Sequence, residues 1–138
     1  MSTVKVFKGK KILPGKASGS ALVSRKRIGL RGFVNLENGT FTGGMRDLEG
    51  VSFAGTVLIF PSSKGSTLWP IELDHTCRFG NSPAAMIISN MDPFVVLGCV
   101  LQDIPLVQVE DLSIFEEIKN GDAVTVDADR GEVTKCLA

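Results

Sequence analysis

A short loop centred on Ser66 carries the residue types best suited to chemistry. The segment Ser63-Lys64-Gly65-Ser66-Thr67 follows the uncharged apolar run 57–60 and leads towards a predicted helix over 68–77. A strand that ends in a Gly/Ser turn before a helix presents free backbone N–H groups and the positive end of the helix dipole to an anion. Ser66 is therefore our candidate catalytic residue, as a general base or a hydrogen-bond partner.

A simpler interpretation of Ser66 stays open, which is that its side chain only caps the helix. Trp69 precedes Pro70 and is therefore biased away from helical geometry, so the regular helix can begin nearer Pro70. Serine also has a high proton affinity, so Ser66 needs neighbouring groups to ionise at neutral pH. Those groups need not lie in this chain.

Two other catalytic patterns fit the sequence poorly. Five residues separate Gly9 from Gly15, where a phosphate-binding P-loop has four. A Ser-His-acid hydrolase would need His75, but Ser66 is not in a G-x-S-x-G motif and lies more than two helical turns from that histidine.

The composition bounds the kind of protein. A chain of 138 residues with 43% hydrophobic content can bury one core, so we expect a single domain over residues 1–138. Its apolar runs are shorter than the roughly 20 residues of a membrane helix, which predicts a cytoplasmic protein without membrane contact. The three cysteines form no CxxC pair and there is one histidine, so no metal site is predicted.

The charge is unevenly distributed along the chain. The first 36 residues contain nine of the 15 basic residues and no acidic one. Such a region suits an acidic partner or substrate, and the absence of interleaved aromatics or a binding motif disfavours nucleic acid. A second hypothesis is thus a non-catalytic interaction module that docks an acidic partner through Lys8, Lys10 and Lys11.

The elements that must position the Ser66 loop change character along the chain. The first 55 residues read as short strands joined by glycine turns, including a strand over 4–12 and an Asn38-Gly39 hairpin. Predicted strands over 56–60, 84–88 and 105–109 then alternate with helices over 68–77 and 93–101, the second capped by Asp92 with Pro93 at its first position. A short helix over 112–118 and paired strands over 124–126 and 133–137 follow. This pattern predicts an α/β fold, a mixed sheet or barrel with packed helices.

Over nearly its whole length the chain resembles the small, swivel-domain subunits of aconitase X-type dehydratases. The Lys64-Gly65-Ser66 loop is the most specific part of the resemblance, and the segments 15–23, 48–50, 55–60, 83–85 and 104–107 support it. The resemblance implies a swivelling β/β/α domain that closes over an active site whose other half belongs to a larger subunit. The expected assembly is a heterodimer with that large catalytic subunit.

The resemblance also implies a hydro-lyase that is active only with the large subunit. Ser66 matches the family's proton-accepting serine: a base takes a proton next to the activating group of a small anionic hydroxylated acid, and a hydroxyl leaves. The N–H groups of Gly65 and Thr67 would hold an anionic group, with Ser63 and Lys64 completing the substrate-binding set. Some relatives hold an iron–sulfur cluster on cysteines of the large subunit, and none is expected on this chain.

Two departures from the family pattern bear on the substrate. The segment 32–35 differs from the Gly-Gly-Val-Asp-like sequence of many members, and Leu68-Trp69-Pro70 stands where archaeal relatives have glycine, serine and tyrosine. These differences favour cis-3-hydroxy-L-proline as the substrate, with phosphomevalonate as the alternative.

Overall fold

The computed structural model describes residues 3–137, apart from the side chains of Thr3, Arg46 and Leu137. Within these residues it contains nine strands and three α-helices. The strands are β1 (Thr3–Leu13), β2 (Lys16–Val23), β3 (Val34–Asn35), β4 (Thr40–Phe41), β5 (Val57–Phe60), β6 (Ala85–Ile88), β7 (Leu106–Val109), β8 (Ala123–Asp127) and β9 (Glu132–Leu137). The helices are α1 (Trp69–Arg78), α2 (Pro93–Gln102) and α3 (Ile114–Glu117).

Seven of the strands close into a barrel of mixed direction. Their order around the barrel is β1-β7-β6-β5-β2-β8-β9, and β9 pairs with β1 to complete the ring. The neighbours β2, β5, β6 and β7 are parallel, whereas β1, β8 and β9 add antiparallel pairs. The predicted α/β class with a mixed sheet or barrel is confirmed. The strands β3 and β4 form a separate two-stranded sheet.

Alternation along the parallel strands builds two cores, one on each face of the sheet. In β5, Val57 and Ile59 belong to a cluster that contains residues from all seven barrel strands. This cluster fills the barrel interior. Leu58 and Phe60 belong to a second cluster, which includes residues of α1, α2 and the segment 28–53. All four side chains of β5 are therefore buried, as expected for a parallel strand covered on both faces.

The two βαβ crossovers bring the carboxyl ends of the parallel strands to one edge of the barrel. The helices α1 and α2 pack against each other on the outer face. As predicted, Asp92 caps α2: its side chain accepts hydrogen bonds from the amides of Phe94 and Val95, and Pro93 occupies the first turn. Loops at this edge are where open α/β sheets bind ligands.

Local details differ from the sequence predictions at two turns. The hairpin at Asn38-Gly39 has a four-residue loop in which only Gly39 has a positive φ, because its N–H bonds to the carbonyl of Asn35 rather than closing a two-residue primed turn. The helix predicted over 112–118 is a single turn, Ile114–Glu117. The N–H of Gly121 bonds to Ala21 on β2 and so does not cap that helix.

Among residues 3–137, no helix is long and apolar enough to cross a membrane.

Candidate active site

The Ser66 loop leaves the carboxyl end of β5 and leads into α1. It extends the sheet beyond the strand, because the N–H of Ile28 donates to Ser62 (3.0 Å) and the N–H of Lys64 donates to the carbonyl of Ile28 (3.1 Å). The segment that follows β2 thus runs beside the Ser66 loop. These backbone bonds fix the height of the loop above the barrel edge.

Ser63 is the buried anchor of the loop. Its N–H and its hydroxyl both donate to Asp92 Oδ2, at 2.8 and 2.6 Å, and the hydroxyl oxygen accepts the N–H of Gly65 at 3.1 Å. The side chain is only 3% exposed. Ser63 therefore holds the loop in shape and does not reach the solvent side where a substrate would lie, so we remove it from the predicted substrate-binding set.

The backbone N–H groups available to an anion differ from those predicted. The N–H of Gly65 points inward to Ser63 and is not free to hold a substrate. Among the described residues, no acceptor lies on the N–H groups of Ser66 or Thr67. Gly65 has a φ of +79° with open space around its missing side chain, so glycine is needed there for backbone conformation rather than for room.

Ser66 is exposed at the mouth of a cavity, with its hydroxyl oxygen accepting the N–H of Leu68 at 3.1 Å. The carbonyl of Ser66 also accepts the N–H of Trp69 at 3.0 Å. This tight turn ends where α1 begins, at Trp69, so Ser66 is not the residue at the N-cap position. An N–H donated to the hydroxyl oxygen stabilises negative charge there.

The start of α1 is held against the barrel by Trp69. Its indole ring stacks on Phe60 with centroids 6.5 Å apart, and its Nε1–H donates to the carbonyl of Ile28 at 3.1 Å. Trp69 thereby joins the start of α1 to the last residue of β5 and to the neighbouring loop that contains Ile28. The loop that carries Ser66 is short and fixed at both ends.

The cavity beside Ser66 has a volume of about 270 Å³ and two walls. One wall is the loop that carries Ser66, of which Lys64 and Gly65 also line the cavity while Thr67 does not. The second wall is the segment 29–33. Lys64 Nζ lies 4.9 Å from the centroid of the Phe33 ring, a cation–π contact that joins the walls.

Two charged residues of the cavity were not among the sequence candidates. Arg31 and Glu72 line it, with Arg31 Nε 3.7 Å from Glu72 Oε2. Glu72 lies on the buried stripe of α1 formed with Trp69, Leu73 and Thr76. A glutamate at helical spacing within an otherwise apolar stripe was the sequence signal that could have identified it.

Two of the three lysines proposed for docking have acidic neighbours within the chain. Lys8 pairs with Glu132 on β9, and Lys10 lies 3.6 Å from Glu110, just past β7. Each of these two lysines has a carboxylate neighbour within the chain, which weakens the hypothesis of docking through Lys8, Lys10 and Lys11. Arg31, in the segment that follows β2, instead lines the cavity beside Ser66.

The cysteines do not provide a site for an iron–sulfur cluster. In the described part of the chain, no group of three His, Cys, Asp or Glu side chains is arranged to hold a metal. Cys99 is buried and its Sγ lies 3.5 Å from Met86 Sδ, and burial raises the pKa of the Cys99 thiol. The three thiols lie in different surroundings, buried at Cys99, half-buried at Cys77 and exposed at Cys136.

The comparisons with known proteins agree with this arrangement. The family model of the aconitase X swivel domain matches residues 6–135. The chain belongs to the aconitase X swivel-domain family. The resemblance identified from the sequence is thereby confirmed, and the closed mixed barrel described above is the fold of this swivel domain.

Relatives and solved structures support the assignment over nearly the full length. A protein of Thermococcus kodakarensis named phosphomevalonate dehydratase small subunit is 40% identical over 127 residues, which span 92% of this swivel-domain chain and 93% of the relative. One of the same name from Archaeoglobus fulgidus is 36% identical over 127 residues, 92% of this chain and 96% of that one. The crystal structure of Thermococcus kodakaraensis aconitase X in its holo-form superposes with a TM-score of 0.86 at 37% identity, covering 97% of this chain and 99% of that chain.

These names bear on the substrate prediction for this aconitase X swivel domain. The two relatives are named for phosphomevalonate, and neither name refers to cis-3-hydroxy-L-proline. The comparisons therefore do not support the preference for hydroxyproline and are closer to the alternative. The departures in the segments 32–35 and 68–70 were not a sufficient reason to prefer a different substrate.

The bond between Asp92 and Ser63 predicts a large effect on stability. We expect Asp92→Ala to lower the free energy of unfolding by about 3 kcal/mol, because it removes a helix cap and leaves the Ser63 donors without a buried acceptor. Urea denaturation measures this change. Asp111→Ala is the matched control, since Asp111 makes the same kind of contact to Ser113 on the exposed surface. Equal stability of the two variants would contradict the anchoring role.

Thiol accessibility predicts the order in which the cysteines react. At pH 8, iodoacetamide should modify exposed Cys136 first and half-buried Cys77 more slowly, because burial raises the pKa of the Cys77 thiol. Cys99 should react only after unfolding. Mass spectrometry of a labelling time course, repeated in urea, checks this order. Modification of Cys99 in the folded protein as fast as Cys136 would show that the core around α2 is open.

Proposed function

We propose that this chain is the small subunit of an aconitase X-type dehydratase and that Ser66 accepts a proton during dehydration. The observation that supports this most strongly is the position of Ser66: exposed, on a fixed turn, and lining a cavity with Lys64 and Arg31. The simpler alternative, in which Ser66 only holds the turn before α1 by accepting the N–H of Leu68, does not account for its place in the lining of the cavity.

The electrostatics of the cavity suit an anionic substrate. Lys64 and Arg31 outnumber the single carboxylate of Glu72, and the N–H of Ser66, which has no acceptor among the described residues, adds a donor beside the cavity. Proximity of cations and donated N–H groups favours the ionised form of an acidic group. The revised anion-binding set is thus Lys64, Arg31 and the amide of Ser66.

The proposed reaction is a β-elimination of water. Ser66 first gives its hydroxyl proton to a base of the large subunit or to solvent, which leaves its Oγ as an alkoxide. A C–H bond next to the carboxylate of the substrate then breaks, its proton passes to Ser66 Oγ and restores the hydroxyl, and its electron pair forms the carbon–carbon double bond. The C–O bond of the hydroxyl breaks in turn, and the departing oxygen takes a proton to leave as water. The N–H of Leu68 and the nearby cations stabilise negative charge on Ser66 Oγ before the transfer.

The chain is proposed to act only with a large subunit. Among the described residues, Glu72 is the one carboxylic acid that lines the cavity beside Ser66, and it is paired with Arg31. A partner that closes the cavity would supply the acid that protonates the departing hydroxyl and any iron–sulfur cluster, since the described residues include no group of three side chains arranged to hold a metal. Phosphomevalonate is the proposed substrate, since two relatives at 36 and 40% identity are named for it.

Replacement of Ser66 tests the proposal. In the complex with the large subunit, we expect Ser66→Ala to lower kcat for phosphomevalonate by about 100- to 10,000-fold, the range that a lost general base produces. Ser62→Ala is the matched control, because Ser62 lies in the same loop and its hydroxyl bonds only to the carbonyl of Ser63. Steady-state assays with phosphomevalonate and with cis-3-hydroxy-L-proline measure both rate and substrate choice.

Two outcomes would count against the proposal. Full activity of the Ser66→Ala complex would remove the proton-acceptor role. Turnover of cis-3-hydroxy-L-proline with none of phosphomevalonate would leave the role of Ser66 intact and replace the proposed substrate.

A further inference from the structure

Glu72 presents a buried carboxylate oxygen to the Ser66 cavity without a hydrogen-bond donor. The residue is 8% exposed, and no described donor lies within hydrogen-bonding distance of its Oε2 atom. A buried carboxylate oxygen without a donor is costly, so it is retained only where something compensates it. Glu72 is also a poor choice for packing alone, since Leu or Met would fill the same helical stripe.

The one described cation close to that oxygen is the guanidinium of Arg31. Its Nε lies 3.7 Å from Glu72 Oε2, which is an ion pair but longer than a hydrogen bond. The Arg31 side chain is 78% exposed, whereas that of Glu72 is 10% exposed. One partner is therefore fixed in the protein and the other is in water at the mouth of the cavity.

We propose that Arg31 binds an oxyanion of the substrate and that Glu72 is the positioning residue that aims it. This inference rests on the proposed function and names the residues that hold the anion. A guanidinium has donors on two edges, so pairing of its Nε side with Glu72 leaves Nη donors directed to a second oxyanion. Shortening of the 3.7 Å contact on binding satisfies the buried oxygen at the same time.

The ligand chemistry is that of a carboxylate or a phosphate, and phosphomevalonate carries both. Either group accepts two parallel N–H bonds from arginine, so the geometry of Arg31 suits both. Inorganic phosphate and unphosphorylated mevalonate separate the two sources. Loss of phosphate affinity assigns Arg31 to the phosphate group, and loss of mevalonate affinity with phosphate unchanged assigns it to the carboxylate.

The sign of the effect at Glu72 distinguishes positioning from simple electrostatics. Replacing Glu72 with the isosteric Gln removes a negative charge beside the anion, which by Coulomb's law alone would tighten anion binding. Positioning predicts the opposite, because Arg31 loses the partner that directs it. If the anion binds more weakly after the negative charge of Glu72 is removed, the net charge of the cavity does not explain the result.

The experiment uses the complex with the large subunit and the variants Arg31→Ala, Arg31→Lys, Glu72→Gln and the double variant Arg31→Ala/Glu72→Gln. Calorimetric titration measures the Kd of inorganic phosphate and of mevalonate, and steady-state assays measure KM and kcat for phosphomevalonate. Asp74→Asn and Arg78→Ala are the matched controls. Asp74 and Arg78 form a 2.8 Å ion pair on the same helix as Glu72, and neither of them lines the cavity.

We expect Arg31→Ala to weaken binding of one oxyanion probe and to raise KM by about 10- to 100-fold, the effect of losing a charge-assisted contact. Arg31→Lys should recover part of this loss. Glu72→Gln should weaken the same probe by about three- to tenfold and leave kcat within a factor of about three. In the Arg31→Ala background, Glu72→Gln should cause no further loss, and both control variants should match the parent.

The proposal is overturned if Glu72→Gln tightens or does not change binding of both probes, or if its effect adds fully to that of Arg31→Ala. A loss of kcat without a change in KM would place Glu72 in the chemical step instead. The probe titrations do not depend on turnover, so they remain decisive if the Ser66→Ala complex proves fully active and the proposed role of Ser66 fails. Thermal melting of each variant complex, with Arg31→Lys as the conservative variant, separates lost binding from lost folding.

Discussion

The position of Ser66 depends on one buried carboxylate, that of Asp92, which uses its two oxygens for two different elements. Oδ1 accepts the first N–H groups of α2, and Oδ2 accepts the N–H and hydroxyl of Ser63 in the loop after β5. Because β5 and β6 are parallel neighbours, the loops that follow them meet at one edge of the barrel, which brings residues 63 and 92 together. Ser63 then holds the N–H of Gly65, and the backbone turns outward to present Ser66. The geometry of the Ser66 loop is therefore fixed by its contact with the start of α2, the helix that follows β6.

The barrel topology also places lysines of the basic first third of the chain beside acidic residues of the last third. Strands β1 and β2 pair with β7, β8 and β9, so several lysines of the first third face acidic residues of the last third. These pairs are Lys5 with Glu117, Lys8 with Glu132, Lys10 with Glu110 and Lys16 with Asp127. The segment 25–31 follows β2 at the edge where the parallel strands end. One of its cations, Arg31, lines the cavity beside the Ser66 loop.

Local signals predicted most of the elements, whereas the contacts of the site loop depend on the fold. The β-α-β-α-β alternation and the cap at Asp92 follow from short stretches of sequence, because periodicity and Asp-Pro chemistry act within a few residues. The second role of Asp92 could not be predicted, since it depends on a contact across 29 positions that exists only once β5 and β6 are adjacent. For the same reason Ser63 and the N–H of Gly65 appeared free in the sequence but are committed inward in the fold. Glu72 was missed because a glutamate in a helix is usually assigned to its exposed face.

The electrostatic interactions around Ser66 become stronger when water is excluded from the cavity. At about 4 Å, a pair of unit charges interacts with roughly 1 kcal/mol in bulk water and roughly 4 kcal/mol at the dielectric typical of a protein surface, and the interaction grows further as water leaves. Arg31 and Lys64 are exposed in this chain, and Ser66 Oγ has one backbone donor. Open to solvent, these groups stabilise an ionised serine only weakly, and a serine of ordinary proton affinity is a poor base. Closure of a second protein surface over the cavity would strengthen every one of these interactions together without any new residue from this chain. In the function proposed above, Ser66 would therefore act as a base in the closed complex with the large subunit and not in the open domain.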